Sequence, residues 1–175
     1  YEMMDFTESL FKFVSSTVGE SIFKYNGNEI DLTKPFQKKT MFNLLREFTE
    51  EDLSEMNVKT LITFSKSKSL DLIDGMNYGQ ILDKIFDELV EPHLIEPIFV
   101  TDYPKAISPL AKEDRHGKLD IVERFELFIA GMEFANAFSE LNDPLEQRRR
   151  LESQAKLHES GDHEAQIVDE NFLQA

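Results

Sequence analysis

The sequence predicts an α+β fold: an antiparallel sheet with a small helical insertion over residues 40–91. Three observations predict it. Residues 122–130 and 132–141 are two apolar strand runs hinged at Gly131. Residues 21–33 place Asn26-Gly27 between two more short runs, a strong hairpin signal. Between these β segments the apolar spacing becomes helical. A chain of 175 residues, 41% hydrophobic with 15 Phe, can bury one real core.

Taken in order, residues 2–18 carry Met3, Phe6, Leu10, Phe11, Val14 and Val18 at helical spacing, with Gly19 as a stop. The polar face holds Glu2, Asp5 and Glu8 rather than a Lys/Arg row, so the apolar face is expected to pack into the core and not onto a membrane. After the 21–33 hairpin, Pro35 ends the unit. Thr40 is placed to cap a helix with Leu44, Leu45 and Phe48, and Thr49-Glu-Glu-Asp52 resembles a capping box. Lys59–Phe64 is a short apolar-basic segment, and Ser65–Ser69 reads as a polar, flexible strip. Ile81, Leu82, Ile85, Phe86, Leu89 and Val90 form an amphipathic helix closed by Pro92. Ile95–Tyr103 is a strand candidate, Pro104 and Pro109 bracket a turn, and residues 111–120 read as a charged surface loop. Asp143-Pro144-Leu145-Glu146 is a helix start, with Asp as cap, Pro at the first position and Glu146 closing a capping box. Glu146/Arg150 and Glu152/Lys156 follow at i, i+4 spacing, and Gly161 ends the helix.

Composition removes several function classes. There is no cysteine, so disulfides, thiolate metal sites and Cys nucleophiles are excluded, which fits a reducing, cytoplasmic setting. No run of about 18 apolar residues predicts a membrane span, and no signal-peptide pattern is visible. The net charge of −15 argues against a nucleic-acid groove made by this segment alone. The chain starts at Tyr1 and stops soon after an apolar pattern begins at Phe172, so both ends read as cut from a longer protein.

The candidate site is in the second strand pair. Glu126, Glu133 and Glu140 lie seven residues apart among Phe, Leu and Ile. Carboxylates in such surroundings are costly without a cation or a donor, so a bound group should be a metal ion, an ammonium, or both. Residues two apart on a strand share a face, which groups Asn136, Phe138 and Glu140. An amide, a ring and a carboxylate suit a ligand with an ammonium end and an apolar stem, such as lysine. Glu126 lies on the neighbouring strand. Glu133 has the wrong parity, and a β-bulge near Phe134 or Ala135 would restore it. Two carboxylates brought together could hold Mg²⁺ against phosphates. The alternative is that Glu126 and Glu133 face solvent or pair with Arg124 or a Lys.

Other candidates are weaker. His158 and His163 with Glu159, Asp162 and Glu164 span a helix end and read as a solvated loop. No HExxH, dinucleotide-binding or P-loop pattern is present, and no Ser sits on a Gly-flanked elbow.

Several segments carry a family resemblance: Glu96-Pro-Ile-Phe-Val-Thr-Asp-Tyr-Pro104, Ser108-Pro-Leu-Ala-Lys112, Glu123-Arg-Phe-Glu-Leu-Phe128, Asn136-Ala-Phe-Ser-Glu-Leu-Asn-Asp-Pro144, Gly161-Asp-His-Glu-Ala165 and Asp169-Glu-Asn-Phe172. Thr7–Phe11 and Lys34–Phe36 also fit, and residues 40–91 match weakly. The chain resembles the catalytic domain of class II lysyl-tRNA synthetases, and Phe-Ser-Glu-Leu-Asn-Asp is the most specific segment. The resemblance implies a partial class II catalytic domain over residues 1–175, with 40–91 at the family's variable helical insertion. It implies Mg²⁺ bound by Glu126 and Glu133 on ATP phosphates. It implies that Asn136 contacts the lysine head group, Phe138 flanks its stem and Glu140 pairs with its ε-ammonium. Lysine, ATP and tRNA(Lys) would be the partners, the last mostly through regions outside this chain, in a homodimer. The second and third class II motifs are expected just before Tyr1 and just after Ala175, so these residues alone are expected to be inactive. Family members commonly have Gly where this chain has Ala135 and Ala137, which could narrow the pocket.

Two competing readings keep the fold. One is a non-catalytic lysine-binding or interaction module, against which the five retained site residues argue. The other is a paralogue that lysylates a protein, against which the 40–91 segment and Phe-Ser-Glu-Leu-Asn-Asp argue.

Overall fold

In the computed structural model, which describes residues 2–73, 75–159 and 166–174, a four-stranded sheet is covered on both faces. Its strands are β3 (Gln37–Thr40), β4 (Ile98–Pro104), β5 (Ile121–Ile129) and β6 (Met132–Phe138), in that spatial order. The β4–β5 and β5–β6 pairs are antiparallel, whereas β3 runs parallel to β4. The fold is α+β as the sequence predicts, but β3 is an addition. Gln37-Lys-Lys-Thr40 has no apolar alternation to reveal it, and its register on β4 is fixed by backbone pairing.

A parallel pair needs a long crossover. Residues 41–93 supply it as α2 (Met41–Thr49), α3 (Val58–Ser67), α4 (Tyr78–Leu89) and short 3₁₀ turns. Thr40 caps α2, accepting from the Asn43 N–H, and Asn77 with Gln80 forms a full capping box on α4. Leu44, Leu45, Leu61, Ile81, Ile85 and Phe86 pack on Val100, Tyr103, Val122 and Phe128 of the sheet. The helical segment therefore shares the larger core with one sheet face. The other face, through Phe99, Leu127 and Ile129, packs on Met4, Ile30, Leu32 and Phe36. Those residues come from α1 (Glu2–Val18), from the hairpin β1 (Ile22–Tyr25) and β2 (Asn28–Asp31), and from the segment after it. The hairpin turns at Asn26-Gly27, both at positive φ, as two-residue turns require.

Four local expectations change. On α1 only Met4 and Ser15 are buried, while Met3, Phe6, Leu10, Val14 and Val18 are exposed. The apolar spacing gave the helix, but most of that face has no cover among the described residues. Thr49 ends α2 rather than starting a helix, and its hydroxyl donates to Leu45 O at 2.7 Å, while Asp52 caps a 3₁₀ turn. Ser65 lies inside α3 and is fully buried, so the serine strip begins later than its composition implies. In α5 (Pro144–Glu159) Asp143 caps as expected, but the Glu146 carboxylate pairs with Arg149 and Arg150 instead of closing a box. Arg150 Nη1 also donates to Ala111 O at 2.7 Å, and this bond docks α5 on the loop before β5. Arg148 joins α5 to α6 (Glu170–Gln174) through two bonds of 2.6 Å to Glu170. Gly161, Asp162, His163 and Glu164 lie outside the described residues.

Candidate functional site

The site is built on β5 and β6. Arg124 opposes Phe138, Glu126 opposes Asn136, and Leu127 opposes Ala135. The next pair is Phe128 with Glu133, so Phe134 is the extra residue of a bulge. Opposed residues share a face, and the bulge therefore puts Glu133 on the same face as Glu126, Asn136 and Phe138. The two strands are closed by Ala130-Gly131, both at positive φ. The turn is held by Ala130 N–H to Ile95 O at 2.8 Å and Gly131 N–H to Leu94 O at 2.9 Å.

A second irregularity lies on β4. The register shifts between Thr101 and Tyr103, and Asp102 adopts φ 62°. The shift moves Tyr103 to the face of Val122, and hence of Glu126. The Tyr103 hydroxyl donates to Glu126 Oε2 at 2.6 Å. Glu126 is only 6% exposed. Its Oε1 accepts from Asn136 Nδ2 at 2.9 Å and from Arg124 Nη2. Arg124 stacks over the Tyr103 ring with its guanidinium carbon 4.7 Å from the centroid. Its Nη1 donates to Ile107 O at 3.2 Å and Ser108 Oγ at 3.0 Å. The pairing with Arg124, one of the alternatives open in the sequence, is realised for Glu126.

Glu133 forms no ion pair among the described residues, although an Asn136 hydrogen bond and the Arg124 charge act on it. Partial burial first, and then the Glu126 charge, raise its carboxyl above the ordinary value. Glu91, in the 3₁₀ turn after α4, is raised by burial and by Asp87, Glu126 and Glu133. Burial and the Glu126 charge together push the Tyr103 hydroxyl well up, so it remains a donor. The face thus holds two carboxylates whose mutual repulsion a cation would relieve. Among the described residues no three His, Asp or Glu side chains gather into a metal cage. Two carboxylates suit Mg²⁺ shared with phosphate oxygens, the mode in which Mg²⁺ takes few protein ligands.

Strand alternation carries Asn136 and Phe138 on to Glu140, which bridges backbone to Ala111 and is exposed. Phe138 is half-exposed at the open edge of the sheet. The structure thus brings Glu126, Glu133 and Asn136 together, with Phe138 beside them and Glu140 further along the same side. Tyr103, Ser108 and Glu91 are additions. Arg124 could be found by alternation from Glu126, but Tyr103 needs the β4 shift and has no sequence signal beyond the Asp102-Tyr103-Pro104 cluster.

A family profile described as tRNA synthetases class II (D, K and N) matches residues 1–175. The chain belongs to this family. Among its relatives, the lysine–tRNA ligase of Thermoanaerobacter pseudethanolicus is 46% identical over 177 residues, covering 100% of this chain and 35% of that protein. The lysine–tRNA ligase of Moorella thermoacetica is 43% identical, covering 100% and 36%. That of Mycoplasma pneumoniae is 45% identical, covering 99% and 36%. The chain therefore spans about a third of the length of the curated relatives it matches. In this class II chain no described helix is long and apolar enough to cross a membrane.

Proposed function

We propose that the chain is part of a lysine–tRNA ligase, which joins lysine to ATP as lysyl-adenylate and passes the lysyl group to tRNA(Lys). In this reading residues 1–175 belong to the catalytic domain of a cytoplasmic homodimer, 40–91 are a helical insertion, and the residues are inactive without the rest of the protein. The observation that carries the site assignment is the bulge at Phe134, because it makes one surface of Glu126, Glu133, Asn136 and Phe138.

On that surface Asn136 offers amide hydrogen bonds to the lysine head group, and Phe138 lies along its methylenes. Glu140 pairs with the ε-ammonium at the far end. Glu126 and Glu133 would hold Mg²⁺, which when bound neutralises the ATP phosphates. Tyr103, Arg124 and Asn136 fix the rotamer of Glu126, so its carboxylate is oriented before ATP arrives. No protein nucleophile is required, since the lysine carboxylate attacks the α-phosphate and pyrophosphate leaves. The chain's contribution is alignment and charge.

Glu140→Ala in the full-length protein tests the pocket. Losing a charge partner of an ammonium costs about 2 kcal/mol at the exposed end of the range, or roughly 30-fold in lysine Kd. Calorimetry should show that loss with ATP affinity unchanged. Unchanged lysine affinity would remove Glu140 from the site.

A further inference from the structure

We propose that Gln147 on α5 is a positioning residue for adenylate formation: it fixes the backbone segment that links the carboxylate network to the lysine end of the site. The inference rests on the lysine–tRNA ligase reading and adds to it a residue outside the substrate surface. In that step a lysine carboxylate oxygen bonds to the α-phosphorus while the bond to the bridging oxygen breaks and pyrophosphate leaves. The reacting atoms must be held about 3–3.5 Å apart, so the spacing between the two halves of the site bears on the rate.

Residues 107–112 join those halves. At one end Ile107 O and Ser108 Oγ accept from Arg124 Nη1 at 3.2 and 3.0 Å, and Arg124 in turn bonds Glu126. At the other end Ala111 bridges Glu140, Leu141 N–H donates to Leu110 O at 3.0 Å, and Lys112 N–H donates to Ser139 O at 2.7 Å. The stretch from Ile107 to Ala111 is at most about 14 Å of chain, so a shift at one end is felt at the other. Pro109, in its middle, has no N–H, and its carbonyl is the backbone group left to anchor it. Gln147 Nε2 donates to that carbonyl at 3.1 Å.

The helix aims Gln147 at this segment. Gln147, Arg150 and Gln154 lie at i, i+3 and i+7, one face of α5, and donate to Pro109 O, Ala111 O and Ala106 O. The three differ in what else they do. Arg150 also pairs with Glu146 and Glu113, and the Gln154 bond is 3.3 Å long at the exposed Ala106. Gln147 is neutral, 3% exposed, and bonded to the residue next to Ser108. Its Oε1 accepts no hydrogen bond among the described residues. A buried acceptor without a partner works against stability, and an apolar side chain of the same length would pack there without one. The bond to Pro109 O is what a glutamine adds. Gln147→Met removes that bond and the orphan acceptor together, so the fold loses little.

The test uses the full-length protein carrying Gln147→Met, Ser108→Ala, or both. Quenched-flow measurement of lysyl-adenylate formation at saturating lysine, ATP and Mg²⁺ reads the rate of the step and, from its amplitude, the fraction of competent molecules. Gln147→Met should slow the step about 10-fold, because a small misplacement of aligned groups is costly. The amplitude, and the KM for lysine and ATP in ATP–pyrophosphate exchange, should stay as in wild type. Ser108→Ala takes away one of Arg124's partners and should slow the same step, and the loss in the double variant should fall short of the product of the two single losses. A wild-type rate in Gln147→Met would overturn the inference. So would a reduced amplitude at the wild-type rate, which marks a purely structural role, or losses that multiply in the double variant. Wild-type protein that forms no lysyl-adenylate would refute the ligase reading itself, and the inference with it.

Discussion

Replacing Arg124 by Met removes, among the described residues, the cation bonded to the buried Glu126 carboxylate while keeping a stem of similar length. Removing one partner of a buried pair costs about 3–5 kcal/mol. Here Arg124 remains 18% exposed and Glu126 keeps the Tyr103 and Asn136 bonds, so about 2–3 kcal/mol is expected. Part of that loss is the Arg124 contact with Ile107 O, Ser108 Oγ and the Tyr103 ring, which does not depend on Glu126. Glu126→Gln keeps the side-chain shape and removes the charge. In the double variant position 126 carries no charge to be left without Arg124, so the coupling energy should be at least about 1.5 kcal/mol. Urea denaturation of wild type, both single variants and the double variant gives the cycle. A coupling below about 0.5 kcal/mol would mean that solvent, not Arg124, neutralises Glu126, and the network would be a surface feature.

Gly131→Ala should destabilise by about 1–2 kcal/mol, read as a lower urea midpoint, because a Cβ there would lie 3.3 Å from Pro92 Cα at φ 71°. An unshifted midpoint would show that the β5–β6 turn is not clamped on the 91–95 segment. Glu123 gives a pH test. Its bonds from Arg115 hold its carboxyl down to about 2 from 4.5. A depressed value stabilises the fold above the unfolded pKa, and the contribution is lost as pH falls from about 4.5 through about 2. The unscreened shift corresponds to about 3 kcal/mol, but Arg115 is 68% exposed, so about 1 kcal/mol is expected. Glu123→Gln should be less stable than wild type at pH 7 and equal to it near pH 2, and an equal gap at both pH values would contradict the assignment.

The readable parts of the fold were those with local chemical causes. Asn26-Gly27 and Ala130-Gly131 needed positive φ, and Thr40 and Asp143 capped the helices that follow them. What could not be read depends on tertiary contacts. β3 pairs with the backbone of β4, and its Lys38 and Lys39 find partners distant in sequence, Asp5 and Glu47, so its own residue pattern does not mark it. The apolar spacing of α1 fixes a helix but not what covers it, and most of that face is exposed. In the site, alternation grouped Asn136 with Phe138, while Glu133 needed a bulge that no residue type demands at Phe134. Tyr103 joins the network only because Asp102 adopts a positive φ and the β4 register shifts. Both irregularities turn a polar side chain onto one face, which is why they escape a period-2 reading.

The most direct test of the central claim is the Mg²⁺ dependence of lysine-dependent ATP–pyrophosphate exchange by the full-length protein carrying Glu126→Gln or Glu133→Gln. The bulged ladder makes these two carboxylates one cation-binding surface. Each variant should therefore raise the Mg²⁺ concentration for half-maximal exchange by about 10-fold or more, equivalent to about 1.4 kcal/mol, with little change in the KM for lysine. A Mg²⁺ titration indistinguishable from wild type in both variants would contradict it.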